Sequence, residues 1–202
     1  MINTIIFDFG DIFINLNKEA SVEAFRKLGL EGPNDELIGL NDKFEKGQIT
    51  EEQFLNGFLK YVPNASLDEI RSAWNLVIGD FPLERLEFLQ MLCGRYKMFL
   101  LTNTDQIHIA HFEELVGSTF AGDFYRCFEK VYYSYEMGMR KPDVEIFNYI
   151  IRKHDLSPKR TLFIDDKKEN TDAARQAGLQ VWTLQVGQED VVHLFDKKFE
   201  TA

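Results

Sequence analysis

Residues 4–12 read Thr4-Ile5-Ile6-Phe7-Asp8-Phe9-Gly10-Asp11-Ile12, an apolar run that ends on an acid, a glycine and a second acid. The β-branched and aromatic bias of the run suits a strand buried on both faces of a parallel sheet, expected here over residues 4 to 9. Runs of the same kind recur at 98–102, 131–134, 161–164 and 180–184. Helical spacing of apolar residues is expected over 106–115, 144–154 and 169–177, the last closing on Gly178. Strand and helix in alternation imply an α/β fold, a doubly wound Rossmann-like parallel sheet.

Residues 16–85 break that rhythm. Their apolar residues recur at helical spacing, as in Val22, Phe25 and Leu28, then Phe54, Phe58 and Tyr61, then Ile70, Trp74 and Val77. Thr50-Glu51-Glu52-Gln53 reads as a capping box. The economical division is a core of residues 1–15 and 86–202, with a small helical cap, 16–85, inserted after the first strand. Phe44, Phe54, Phe58 and Trp74 are expected to pack inside that cap.

Composition narrows the function. The 202 residues carry a net charge of -10, with a pI near 4.9. That balance disfavours nucleic acid and anionic membrane surfaces as partners. It also repels a phosphate ester, so a local cation has to compensate at any site that binds one. Cys93 and Cys127 fall in no metal-ligand or redox spacing. Met1-Ile2-Asn3 leads straight into the first strand, which reads as neither signal peptide nor membrane span; a cytoplasmic protein is expected.

Four polar signals each follow a strand, and in an open parallel sheet such strand ends converge on one crevice. Asp8 ends the first strand, where a carboxylate can attack phosphorus; taken alone, it is as readily a solvated turn residue. Thr102, closing Phe99-Leu100-Leu101-Thr102, can hold a phosphoryl oxygen, or simply end the strand and cap a helix. In that second case Thr104 or Asp105 could equally be the cap. Lys141, in Gly138-Met139-Arg140-Lys141-Pro142, is steered by the proline and can neutralise both Asp8 and a phosphoryl group. Arg140 is expected at the surface or the rim of the site. Asp165 and Asp166 end another strand, where adjacent dry acids are costly unless a cation such as magnesium relieves them. Asn170, four residues on, can face back toward the same point.

The order Asp8, Thr102, Lys141-Pro142, Asp165-Asp166 resembles the four motifs of the haloacid dehalogenase-like (HAD) hydrolases, over essentially the whole chain. Segments 7–11, 100–104, 138–142 and 163–170 are most similar to small bacterial sugar-phosphate phosphatases and to the phosphatase domain of soluble epoxide hydrolases. Phe44-Glu45-Lys46-Gly47-Gln48-Ile49-Thr50 resembles a phrase of the same subgroup. The resemblance implies a magnesium-dependent phosphatase with a small phosphorylated metabolite as substrate and Asp8 as both nucleophile and metal ligand. Gly10, through its carbonyl, and Asp166 would complete the metal's protein ligands, with Asp165 and Asn170 behind them. Thr102, Asn103 and Lys141 would hold the phosphoryl group.

Gly10 departs from the family pattern, in which an aspartate two residues after the nucleophile protonates the leaving group. Two further readings stay open on sequence alone: a haloacid dehalogenase, which needs no such acid, and a binding protein that kept the fold. The Asp165-Asp166 pair weighs against the first, and retained Asp8, Lys141 and Asp166 against the second.

Overall fold

The computed structural model describes residues 1–32 and 34–197. In chain order the elements are β1 (Thr4–Phe7), α1 (Lys18–Lys27), α2 (Asp35–Glu45), α3 (Glu51–Leu59), α4 (Leu67–Asn75), α5 (Leu83–Leu92) and β2 (Lys97–Thr102). They continue with α6 (Gln106–Val116), α7 (Ser118–Tyr125), β3 (Lys130–Tyr133), α8 (Ser134–Met137), α9 (Val144–His154), β4 (Thr161–Asp165), α10 (Lys168–Gln176) and β5 (Gln180–Thr183).

The sheet order is β3-β2-β1-β4-β5, and every pairing is parallel. Period-2 alternation splits β1 between two cores: Ile5 and Phe7 face one apolar cluster, Ile6 the other. Residues of α5, α6 and α7 complete the first cluster, and residues of α9 and α10 the second. The chain moves outward from β1 to β2 and β3, then returns to β4 on the other side of β1. The order therefore reverses beside β1, where a crevice opens at the carboxyl ends of the strands. β1 stops at Phe7, two residues short of the expected end, because the chain turns at Asp8 and Phe9; Asp8 still donates its N–H to the Ile164 carbonyl at 2.9 Å.

Helices α1 to α4 gather a third apolar cluster of their own, to which α6 contributes Ile107. Phe44 stacks on Phe54 at 4.2 Å between ring centroids, and Phe54 meets Trp74 edge-on at 4.9 Å. Thr50 and Gln53 form the reciprocal capping box. The boundary expected between residues 85 and 86 falls inside α5, a helix the sequence pattern concealed because its apolar residues run round it rather than along one stripe. Arg85, on this helix, is 8% exposed and donates to Asp190, the Phe13 carbonyl and Asn15. No helix among the described residues is long and apolar enough to cross a membrane.

The turn after α2 meets α8 and the loop that follows it. Gly47 has φ 64°, and a Cβ there would run into the Tyr135 carbonyl oxygen. Arg140 sits at the same junction, paired with Asp42 at 2.9 Å and Glu45 at 2.7 Å. It ties α2 to the lysine-bearing loop, with its side chain 27% exposed. Gly47→Ala should lower stability by about 1–2 kcal/mol for the left-handed backbone alone, and by more for the displaced carbonyl. A denaturant midpoint unchanged from wild type would contradict this reading of the junction.

Candidate active site

Register sets the site. Phe7 is level with Leu100 on one side and Ile164 on the other, so Asp8, Leu101 and Asp165 arrive together one residue further along three adjacent strands. Lys141 reaches across all three. Its Nζ lies 2.7 Å from Asp8 Oδ1 and 2.7 Å from Asp165 Oδ2, and donates to the Leu101 carbonyl at 2.9 Å. The side chain is 1% exposed.

Neighbouring groups fix this lysine. Asn103 donates its amide to the Lys141 carbonyl at 2.8 Å and accepts the Lys141 N–H at 2.9 Å. Asn103 was expected to help hold substrate; both ends of its side-chain amide meet the backbone of one residue, Lys141. The Lys141-Pro142 peptide is cis. Thr102, 3% exposed, and Asn103 both line the adjoining cavity.

Asp165 is fully buried, and its oxygens are committed. Besides Lys141, it accepts the Lys167 backbone N–H at 2.8 Å and the Asn170 amide at 3.0 Å. Asn170 thus meets Asp165 directly, from the first turn of α10. Asp166 makes no hydrogen bond or ion pair among the described residues, and oxygens of Asp8, Asp165 and Asp166 lie within 4.8 Å of one another. The Gly10 carbonyl oxygen likewise accepts no hydrogen bond there. Asp8, Asp166 and Gly10 therefore offer hard oxygen donors, while Asp165 is saturated by lysine, backbone and amide.

Burial pushes the Asp8 carboxyl up to about 7, against the pull of Lys141 and with the added push of Asp165. Burial and Asp165 also raise Asp166. Burial alone would pull Lys141 down, but Asp165 and Asp8 outweigh it and hold the ammonium protonated. Three acids around one lysine leave an excess of negative charge that a divalent cation would offset.

A cavity of about 260 Å³ opens beside this cluster, lined by its chain neighbours rather than by Asp8, Lys141, Asp165 or Asp166 themselves. Gly10, Thr102, Asn103 and Lys167 line it from the sheet side; Ser21, Glu45, Trp74 and Val77 line it from the helical insertion. Trp74, expected only to pack, does both. Its ring stacks on His108 at 4.9 Å between centroids, and its Nε1 donates to Asp105 at 3.0 Å. Asp105 also caps α6 through the Ile107 and His108 N–H groups. Asp105 is one of three caps that the sequence offers, with Thr102 and Thr104, and His108 carries no expectation there; an acid three residues before a histidine at a helix start is the available signal. Ser134 ties the β2 loop to the end of β3, exchanging hydrogen bonds with the Thr104 N–H and carbonyl at 3.0 Å.

A family model described as haloacid dehalogenase-like hydrolase matches residues 2–178. The chain is 26% identical over 193 residues to the D-ribitol-5-phosphate phosphatase of Bacteroides thetaiotaomicron, covering 93% of this chain and 94% of the relative. It also resembles a HAD family enzyme of the same organism, crystallised in wild-type form with magnesium and inorganic phosphate. That likeness has a TM-score of 0.86 at 35% identity, over 96% of this chain and 100% of that one. A predicted HAD-like family hydrolase from Porphyromonas gingivalis matches with a TM-score of 0.81 at 26% identity, over 97% of each chain. Fold, strand-end site and family model agree: the chain belongs to the haloacid dehalogenase-like hydrolases.

Proposed function

We propose that this protein is a magnesium-dependent phosphatase that hydrolyses a small phosphate monoester through an aspartyl-phosphate on Asp8. The observation that carries the reading is the buried Lys141 held 2.7 Å from both Asp8 and Asp165, with Asp166 unpaired beside them. In this reading Asp8 Oδ attacks phosphorus, Lys141 and Thr102 hold the phosphoryl oxygens, and water later releases phosphate. Asn103 keeps the lysine in place and lends its backbone to the same loop.

The donor set fits magnesium. Asp8, Asp166 and the Gly10 carbonyl would hold the ion, with Asp165 and Asn170 behind them. Bound there, magnesium supplies charge neutralisation and a Lewis acid for the phosphoryl group. The Bacteroides similarities support the reading: the curated relative is named for a sugar-alcohol phosphate, and the solved structure holds magnesium and phosphate. Displacement of halide from carbon gains nothing from a cluster of three acids, which weighs against the dehalogenase alternative.

Residues 16–85 act in this reading as a cap that closes one side of the cavity and limits substrates to small molecules. Three outcomes are expected. Turnover should need a divalent cation, and Asp166→Ala should weaken magnesium binding by tenfold or more, with little loss of folding. Full turnover in excess chelator would contradict the metal assignment. Asp8→Asn should abolish turnover, since the amide is a poor nucleophile and a poor ligand; wild-type rates in protein checked for deamidation would end the covalent mechanism. In a panel of ribitol 5-phosphate, hexose phosphates, glycerol phosphate, p-nitrophenyl phosphate and a phosphopeptide, the small esters should show the higher kcat/KM. A phosphopeptide as best substrate would contradict the enclosing cap.

A further inference from the structure

An alkyl phosphate ester leaves as an alkoxide, which departs well only if a proton reaches its oxygen as the bond to phosphorus breaks. Asp8 cannot give that proton while attacking phosphorus, and Lys141, held between Asp8, Asp165 and the Leu101 carbonyl, serves the phosphoryl oxygens in the same reading. Position 10 carries no side chain, and a Cβ there would lie 2.9 Å from Leu16 Cδ1, so leucine fills the space beside it. The donor has to come from elsewhere on the cavity wall, where the titratable side chains are Lys18, Glu45, His108 and Lys167.

Three of the four are poorly suited. His108 has Nε2 3.1 Å from the Trp74 carbonyl and Nδ1 3.2 Å from Asp105, with its ring stacked on Trp74. Glu45 lies 2.7 Å from the Arg140 guanidinium, a contact that a protonated carboxyl would weaken. Lys167 follows Asp166, on the strand end that gathers the acids rather than on the loop that carries Gly10.

Lys18 begins α1, and its Nζ lies 3.0 Å from Asp11 Oδ2. Asp11 is itself fixed: it is 8% exposed, at φ 57°, and its Oδ1 accepts the Leu16 N–H at 3.0 Å. The residues that flank and fill the space at Gly10 therefore also hold the ammonium group. Asp11 itself is turned away from the donor role by those two bonds.

We infer that Lys18 is the acid–base catalytic residue for alkyl esters in this site, with Asp11 as its positioning residue. This rests on the phosphatase reading with Asp8 as nucleophile. As Asp8 Oδ bonds to phosphorus, the P–O bond to the alkyl group breaks, and its electron pair stays on the departing oxygen. A proton moves from Lys18 Nζ to that oxygen, leaving an alcohol, a phosphorylated Asp8 and a neutral amine. Water then attacks phosphorus, the Asp8–phosphorus bond breaks, and the water's proton returns to Nζ. An aliphatic alcohol is a weaker acid than an ammonium ion, so the first transfer runs downhill. Burial would lower Lys18, but the Asp11 hydrogen bond together with the charges of Asp11, Asp166 and Asp8 outweighs it and raises Lys18, which keeps it protonated before each turnover.

The test compares p-nitrophenyl phosphate, whose leaving group needs no proton, with the alkyl ester that the wild-type enzyme turns over fastest in the panel above. Lys18→Met should lower the single-turnover rate of alkyl-ester cleavage by about a hundredfold or more. It should leave the single-turnover release of p-nitrophenol within about threefold, and inhibition by inorganic phosphate unchanged. The Lys18 side chain is 58% exposed, so the melting temperature should stay near wild type. Lys18→Arg keeps the charge but not a usable proton, and should show the same selective loss. Asp11→Asn, which keeps an acceptor for Leu16, should show a smaller loss of the same selectivity. Equal losses on both esters, an unaffected alkyl ester, or full rescue by arginine would each overturn the inference. A wild-type enzyme inactive on both esters would instead overturn the phosphatase reading beneath it.

Discussion

A lysine with 1% of its surface exposed joins the ends of three adjacent strands, and the rest of the site is arranged around it. A buried ammonium without partners would be strongly unfavourable, as would two buried carboxylates facing each other. Together they satisfy one another, but only if Asp8, Leu101 and Asp165 come level and the 138–142 loop delivers Lys141 at the right height. The parallel register provides the first condition, and the Asn103 clamp on the backbone of Lys141 provides the second. The sum is still negative, and that residue of charge makes a cation the natural complement of the cleft.

The same loop carries the link to the helical insertion. Arg140, next to the lysine, pairs with Asp42 and Glu45 of α2, and Gly47 lets the following turn approach Tyr135. On the far side, Trp74 rests on His108 and bonds to Asp105, which also caps α6. Movement of the insertion would be felt at Lys141 through Arg140 and at the Thr102 loop through Asp105. The first contact is made of charged groups, while the second adds the Trp74–His108 stack and Ile107, which α6 lends to the apolar cluster of the insertion.

Much of this was legible in the sequence because it follows from periodicity and strand-end chemistry. The five strands, the position of Asp8, Thr102, Lys141 and Asp165, and the helical character of 16–85 all come from runs of apolar residues and what terminates them. Helices α2, α5 and α7 were not read, since α2 and α7 mix apolar and polar residues without a clean stripe and α5 is apolar nearly all round. The partners of Asn103, Arg140 and Asp11 were also hidden. Each depends on which neighbour a long-range loop brings within 3 Å, and local pattern carries no information about that. Asn170 was placed correctly in space, yet its contact with both Asp165 oxygens emerged only from the helix geometry.

The central claim is that Asp8, held by Lys141, receives the phosphoryl group. The direct measurement mixes excess enzyme with a radiolabelled phosphate ester and magnesium, quenches in acid within the first turnover, and maps the label by peptide mass analysis. The account predicts a transient acid-stable phosphoryl group on the peptide that carries Asp8, absent from Asp8→Asn. Release of phosphate in the first turnover with no phosphorylated peptide at any time point, or with the label on another residue, would contradict it.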